Sequence, residues 1–436
     1  MDILTVTAIL FGSLFLVLAT GIPVSFALGG VGVIFTFFLW GPNAVGTIAF
    51  AAFDLMSSPI LLAAPLFLLM GIILQESGIA DDVYEMFYRW MGPVRGGLAI
   101  GTIIICTIFA AIIGVSGAST ITMGLIALPS MFKRNYDKNI VLGSIAAGGI
   151  LGILIPPSVI MIIYAMISGE SVGDLFAAGV IPGLMLATLY ILYIGIRCYF
   201  QPNLGPVLPK EERATFKEKI VSLKAVVLPL ILIFLVLGTI YLGICTPTEA
   251  AAIGALGAFI CAAIRKKLNF DLVKTASRQT FRLVGMALWV LLGASMFNSL
   301  YRAVGAKSLI ISLVGQLGMT PWTVLILMQV SLFVLGMLMD DFAVVMLCVP
   351  IYVPIIKTLG FNPLWFAMLF MVQIQMAYLT PPYGFNLFYL KSIVPPEITM
   401  GDLYRSVVPF VCLQLIGLIL VMIIPQLALW LPSLLK

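Results

Sequence analysis

The sequence has no histidine and very little charge. Only 9% of its 436 residues are Asp, Glu, Lys or Arg, against about 25% in a soluble domain. Without histidine, His-based acid–base or nucleophilic catalysis and His ligation of a metal are excluded. The shortage of charge leaves too little polar surface to face water. Cysteine is sparse too. Cys106, Cys198, Cys245, Cys261, Cys348 and Cys412 are scattered, mostly in apolar runs, with neither CxxC spacing nor a disulfide framework, and read as small buried hydrophobes. A basic n-region and a small-residue cleavage site are missing from the N-terminus, so Ile3–Thr20 is expected as a retained helix.

What the chain does have is apolar length. Hydrophobic residues make up 62% of it, and the mean hydropathy is +1.18. Runs such as Ile3–Thr20, Val226–Ile244 and Val407–Leu431 are long enough to cross about 30 Å of hydrocarbon as helices. The fold class is an all-α polytopic membrane protein. The net charge of +5 sits in loops, where basic residues orient a membrane protein rather than bind nucleic acid.

The most polar long stretch, Arg197–Lys224, divides the chain into 1–197 and 225–436, with 198–224 as a linker. The halves resemble each other at an offset of 225: Gly29 falls on Gly254, Gly32 on Gly257, Pro129 on Pro354, Tyr136 on Phe361, and Pro156 and Pro157 on Pro381 and Pro382. After a three-residue slip, "SVGDLF" (171–176) meets "TMGDLY" (399–404). Crossings are expected near 3–20, 23–40, 56–76, 139–168 and 176–197, then 225–243, 248–264, 283–301, 362–391 and 406–431. Each half also holds an apolar segment with a polar break at its centre, 98–131 and 322–355. If these are re-entrant hairpins, each half crosses five times, about ten in all, and an odd number forces opposite orientations. That is an inverted-topology repeat, the plan of many secondary transporters. Charge supports this count. With the N-terminus outside, 19 Lys and Arg lie on the inner side and only Arg302, Lys307, Lys357 and Lys436 outside, a strong positive-inside bias. Segments 81–92 and 302–318 are expected as interfacial arm helices, and 265–282 as a basic surface helix.

Four irregular sites form two pairs. The first hairpin breaks at Gly114–Thr120 and the crossing after it at "GILIPPS", Gly152–Ser158. The second breaks at "GMLMDDF", Gly336–Phe342, and its following crossing at "LTPPYGFNLF", Leu379–Phe388. Proline removes a backbone donor and kinks a helix. Broken backbone at membrane depth survives only inside protein or beside a watery cavity. A hairpin tip facing a broken helix therefore gathers free carbonyls, hydroxyls and half-helix ends. Carbonyls suit Na⁺ and helix N-termini suit a carboxylate. Intramembrane acids mark ion or proton pathways. Asp340 is accordingly expected in an ion site and Asp341 is left open, the alternative being that one of the two caps a half-helix and the other faces a water-filled vestibule. Asn386 is the amide candidate for a substrate, its alternative being an interhelical hydrogen bond. Thr246 or Thr248 with Glu249 reads as helix N-terminal chemistry. A channel would need a continuous pore rather than paired discontinuous sites. An intramembrane aspartyl enzyme would need carboxylates on two facing helices, and here both sit on one hairpin.

At "GVSGAST", "GILIPPS", "SVGDLFAAGVIPG" (171–183), "TPTEAAAIGA" (246–255), "GMLMDD" and "LTPPYGFNLF" the sequence resembles the large, DctM-like membrane subunit of tripartite ATP-independent periplasmic (TRAP) transporters. The resemblance covers nearly the whole chain. It implies an elevator-type, Na⁺-driven importer of small organic acids such as C4-dicarboxylates in the bacterial cytoplasmic membrane, with no enzymatic activity. It also implies a separate small four-helix membrane subunit and a periplasmic binding protein. By the same resemblance, one Na⁺ site lies between Ser116, Gly117, Ser119 and Pro156, Ser158. The other lies between Met339, Asp340, Asp341 and Thr380, Gly384. Ser116, Ser119, Ser158, Thr380 and Asn386 would face the substrate. The family often has Thr or Ser after the hairpin Asp, and here Asp341 takes that position. A stand-alone Na⁺/carboxylate symporter of related hairpin architecture is the alternative.

Overall fold

The computed structural model describes residues 3–305 and 319–435. Among them the regular structure is entirely helical. The first half runs α1 (Ile3–Ala19), α2 (Val24–Trp40), α3 (Val45–Met56), α4 (Ala63–Glu76), α5 (Ile79–Met91), α6 (Gly97–Ile113), α7 (Ser116–Phe132), α8 (Lys138–Gly149), α9 (Val159–Ser168) and α10 (Val172–Phe200). A short α11 (Phe216–Ser222) leads into the second half: α12 (Lys224–Tyr241), α13 (Pro247–Ile264), α14 (Phe270–Ala303), α15 (Pro321–Leu338), α16 (Asp341–Thr358), α17 (Pro363–Tyr378), α18 (Phe385–Lys391), α19 (Met400–Ile423) and α20 (Gln426–Leu434).

The hairpin arms and the broken helices of the two halves begin and end at nearly the same offset. Local chemistry explains why. Asp137 caps α8, its carboxylate accepting from the Asn139 and Ile140 amides at 2.9 and 3.3 Å. Asn362, 225 positions on, caps α17 through the Leu364 and Trp365 amides at 2.8 and 3.1 Å. Each cap satisfies donors that a helix start would leave orphaned. Ser171 and Thr399 cap α10 and α19 in the same way, through the Asp174 and Asp402 amides. Thr246 and Glu249 form a full capping box on α13, as their spacing suggests.

Two packing regions follow. In one, α2 lies on α14 and α4 on α13, the same contact made twice with the halves exchanged. Small residues permit it. A Cβ at Gly29 would meet Met296 Sδ at 3.4 Å, and one at Gly254 would meet Met70 Sδ at 2.6 Å. In the other region α6 and α7 flank α8, while α15 and α16 flank α17. The hairpins therefore run beside the first segment of each broken helix. The second segments pack across the halves: α9 lies on α16, and α18 on α7.

Three expectations change. α3 is a separate helix that precedes the expected crossing at 56–76. Segment 265–282 is not a surface helix of its own, because 270–282 is the start of the 34-residue α14. That helix is about 51 Å long at 1.5 Å per residue and outruns the bilayer core. The crossing expected at 406–431 stops at Ile423, and α20 starts again after Pro425, which cannot continue a helix. The arm helix expected at 302–318 lies, beyond residue 305, outside the described residues; the one at 81–92 is α5. Eight described helices are long and apolar enough to cross a membrane; two of them are the hairpin arms α15 and α16.

The segment 201–223 is fastened down. Leu204 O accepts from the Asp137 amide at 3.0 Å, Gly205 O from the Gly96 amide at 2.9 Å, and the Leu208 amide donates to Gly92 O at 2.9 Å. Glu212 pairs with Arg134 at 2.9 Å and accepts from Tyr88 Oη at 3.2 Å, while Arg134 also donates to Tyr88 Oη. The Arg134 guanidinium, and next the Tyr88 hydroxyl, hold the Glu212 carboxyl below its ordinary value of 4.5. A lowered carboxyl contributes its tether fully above that ordinary value and loses it as pH falls through the lowered one. Limited proteolysis of 201–223 should therefore accelerate only on acidification below about 4.5. Glu212→Gln should lose the part of that acceleration owed to the Arg134 tether and keep the part owed to Glu218, whose carboxyl caps α11 and is also held low.

Candidate functional site

The first hairpin turns on two residues. Gly114 ends α6 in the left-handed region (φ +67°), and Val115 is extended before α7 begins at Ser116. The tip is sewn to the first helix break. The Val159 amide donates to Gly114 O at 3.2 Å, and a Cβ at Gly114 would lie 2.5 Å from Pro157 O. Gly152 leaves room for Val115 in the same way. Ser158 caps α9 by accepting from the Met161 amide at 3.5 Å, and its hydroxyl donates to Ile153 O at 2.7 Å. Ser119 Oγ donates to Val115 O at 3.2 Å. Ser116, Ser119, Pro156, Pro157 and Ser158 are all buried, and Gly117 is covered by the Tyr389 ring. These residues are brought together, and hydroxyls that donate to carbonyls keep oxygen lone pairs for a cation.

The second tip follows the same plan with different chemistry. Met339 and Asp340 are extended, and Asp340 caps α16 by accepting from the Ala343 amide at 3.1 Å. At the equivalent position of the first tip stands Val115, which cannot cap. The start of α7 thus keeps its partial positive charge uncompensated by a side chain. Asp341 is buried, its carboxylate accepting from the Phe342 amide at 3.1 Å. Its own amide donates to Tyr378 Oη at 2.5 Å, joining the tip to the end of α17. Thr380 bonds back into α17, Oγ1 donating to Met376 O at 2.7 Å. Gly384 opens α18 with φ +59°. Among the described residues no three acidic or thiol side chains gather as metal ligands. A cation here would rely on hydroxyls, carbonyls and these two carboxylates, which suits a hard ion with oxygen ligands.

Three placements differ from sequence reasoning. Asn386 stands in the second break but turns its side chain away from it. It is fully buried and reaches the first hairpin, its Oδ1 accepting from Thr120 Oγ1 and its Nδ2 donating to Ala146 O, both at 2.8 Å. Its amide is thus engaged in the interhelical bond named above as its alternative role. Tyr389, which sequence reasoning missed, sits on Gly117 of one tip and within electrostatic reach of both aspartates of the other. Tyr378 was missed as well. A tyrosine in an apolar helix carries no local signal of such a partner. Finally, the two breaks differ in access: Pro381, Pro382 and Tyr383 are exposed where Pro156, Pro157 and Ser158 are buried. Tyr404 Oη donates to Pro382 O at 2.9 Å, supplying a partner that the broken helix lacks.

Paired tips and breaks on a helical membrane scaffold are the setting in which sequence comparison becomes decisive. Residues 11–427 match the family described as tripartite ATP-independent periplasmic transporter, DctM component. The chain belongs to this family. It is 32% identical to the C4-dicarboxylate TRAP transporter large permease protein of Pseudomonas aeruginosa, over 91% of this chain and 92% of that one. It is 28% identical to the ectoine TRAP transporter large permease protein of Halomonas elongata, over 98% and 99%. Among solved structures, the YdaH transporter of Alcanivorax borkumensis superposes with a TM-score of 0.58 at 15% identity, over 91% and 90%; that likeness shows the fold alone. This DctM-family chain is thus a multi-pass membrane protein related to transporter permeases.

Proposed function

We propose that the chain is the membrane-translocating subunit of a Na⁺-coupled importer of small organic acids, working with a small membrane subunit and a periplasmic binding protein. The observation that carries this reading is the hairpin tip joined to a broken helix, present twice at one offset in a DctM-family chain. In it, residues 1–197 and 225–436 are inverted repeats joined by a cytoplasmic 198–224, both termini are periplasmic, and the protein moves cargo rather than transforming it. Both Na⁺ ions are cargo. One binds among Ser116, Gly117, Ser119, Pro156 and Ser158; the other among Met339, Asp340, Asp341, Thr380 and Gly384. No Lys or Arg lies inside an expected span, so the substrate's carboxylate is met by hydroxyls, the uncapped start of α7 and bound Na⁺. The region holding both hairpins and both broken helices moves as an elevator against α1–α4 and α12–α14.

Asp340→Asn is the informative variant. Asparagine caps a helix as well as aspartate does, so α16 keeps its start while the site loses a charge. In proteoliposomes with both partner proteins, the half-saturating Na⁺ concentration should rise about tenfold, a cost near 1.4 kcal/mol. Ser116→Ala should raise it less, about fivefold for one hydrogen-bonding group. Unchanged Na⁺ activation in both would sink the site assignment. Uptake that needs no binding protein would instead favour a stand-alone symporter.

A further inference from the structure

A groove of about 570 Å³ runs along the outside of α10, lined by Leu189, Leu192, Tyr193, Ile196 and Phe200 and closed on one side by Leu413 of α19. Its floor is firm, because the Tyr193 ring packs edge-on against Phe410 at 5.3 Å. The groove is apolar except at one end, where Arg197 and Gln201 border it. Both are exposed, and among the described residues Arg197 forms no ion pair. The nearby acid, Asp137, spends its carboxylate on capping α8.

We infer that this groove seats one phospholipid with an anionic headgroup, its phosphate on Arg197 and Gln201 and an acyl chain along Leu192, Ile196 and Leu413. Depth and charge both favour a lipid over a partner helix. From Arg197 to Leu189 is about 12 Å along the helix axis, within the half-thickness of a hydrocarbon core of about 30 Å. The polar end coincides with the basic face of the molecule, where anionic headgroups collect. A transmembrane helix of a partner would need a contact that continues into the other leaflet, and the groove stops. A guanidinium pairs with a phosphate through two parallel hydrogen bonds, which an uncharged substitute cannot reproduce.

Native mass spectrometry of the purified protein with phosphatidylglycerol and phosphatidylcholine tests this directly. Arg197→Gln should lower retention of phosphatidylglycerol roughly fivefold and that of phosphatidylcholine less, because the choline cation already offsets its phosphate. Leu192→Trp, which fills the groove, should lower both. A photoreactive residue at position 196 should yield lipid adducts. Equal phosphatidylglycerol retention by wild type and Arg197→Gln would overturn the proposal. So would adducts at 196 to the small membrane subunit in place of lipid.

Discussion

Gly114→Ala is expected to destabilise the protein by about 3 kcal/mol and to abolish transport. Two costs add. A non-glycine residue held in the left-handed region loses about 1–2 kcal/mol. The new Cβ would also lie 2.5 Å from Pro157 O, a backbone atom that cannot swing aside, and such overpacking costs about 1–3 kcal/mol. Gly169 is the control. It ends α9 with almost the same geometry, φ +75° and ψ 10° against +67° and 11°, but nothing lies within 4 Å of its would-be Cβ. Gly169→Ala should therefore cost only the conformational part, about 1–2 kcal/mol. Thermal unfolding of both variants in detergent separates strain from contact. Equal shifts would mean that the tip of the first hairpin is not seated on Pro157.

Asn386→Leu should cost about 2 kcal/mol, one for each hydrogen bond lost. Ala146 O keeps a partner, since the Ile150 amide also donates to it. Thr120 loses the acceptor of its buried hydroxyl. Thr120→Val should cost about 1 kcal/mol, and the double variant should cost about 1 kcal/mol less than the two singles together, because both remove the same bond. This separates the two roles open to Asn386. A residue that only joins helices should change stability and leave the substrate KM of the surviving protein nearly unaltered. A residue that also touches substrate should raise KM with a smaller loss of stability.

The legible part of this molecule is local. Hairpin arms, breaks and caps follow from Gly114, from the proline pairs, and from Thr246 with Glu249 at a helix start, because each acts through its own few neighbours. What the sequence left hidden depends on partners far along the chain. The α14 extension looked separate because its polar face resembles a surface helix, and only contacts made elsewhere decide whether a helix stops. α3 went unnoticed beside the crossing that follows it. The bond from Asn386 to Thr120 spans 266 positions, and the reach of Tyr389 to both tips depends on α18 lying on α7.

That last contact has a counterpart in the other half. α9 is gripped by the second half's hairpin, and α18 by the first half's. Each half thus hooks its short segment behind the other, as two bent fingers lock. The packing of the broken helices therefore does not divide at residue 198. It joins both halves through the α9–α16 and α18–α7 contacts.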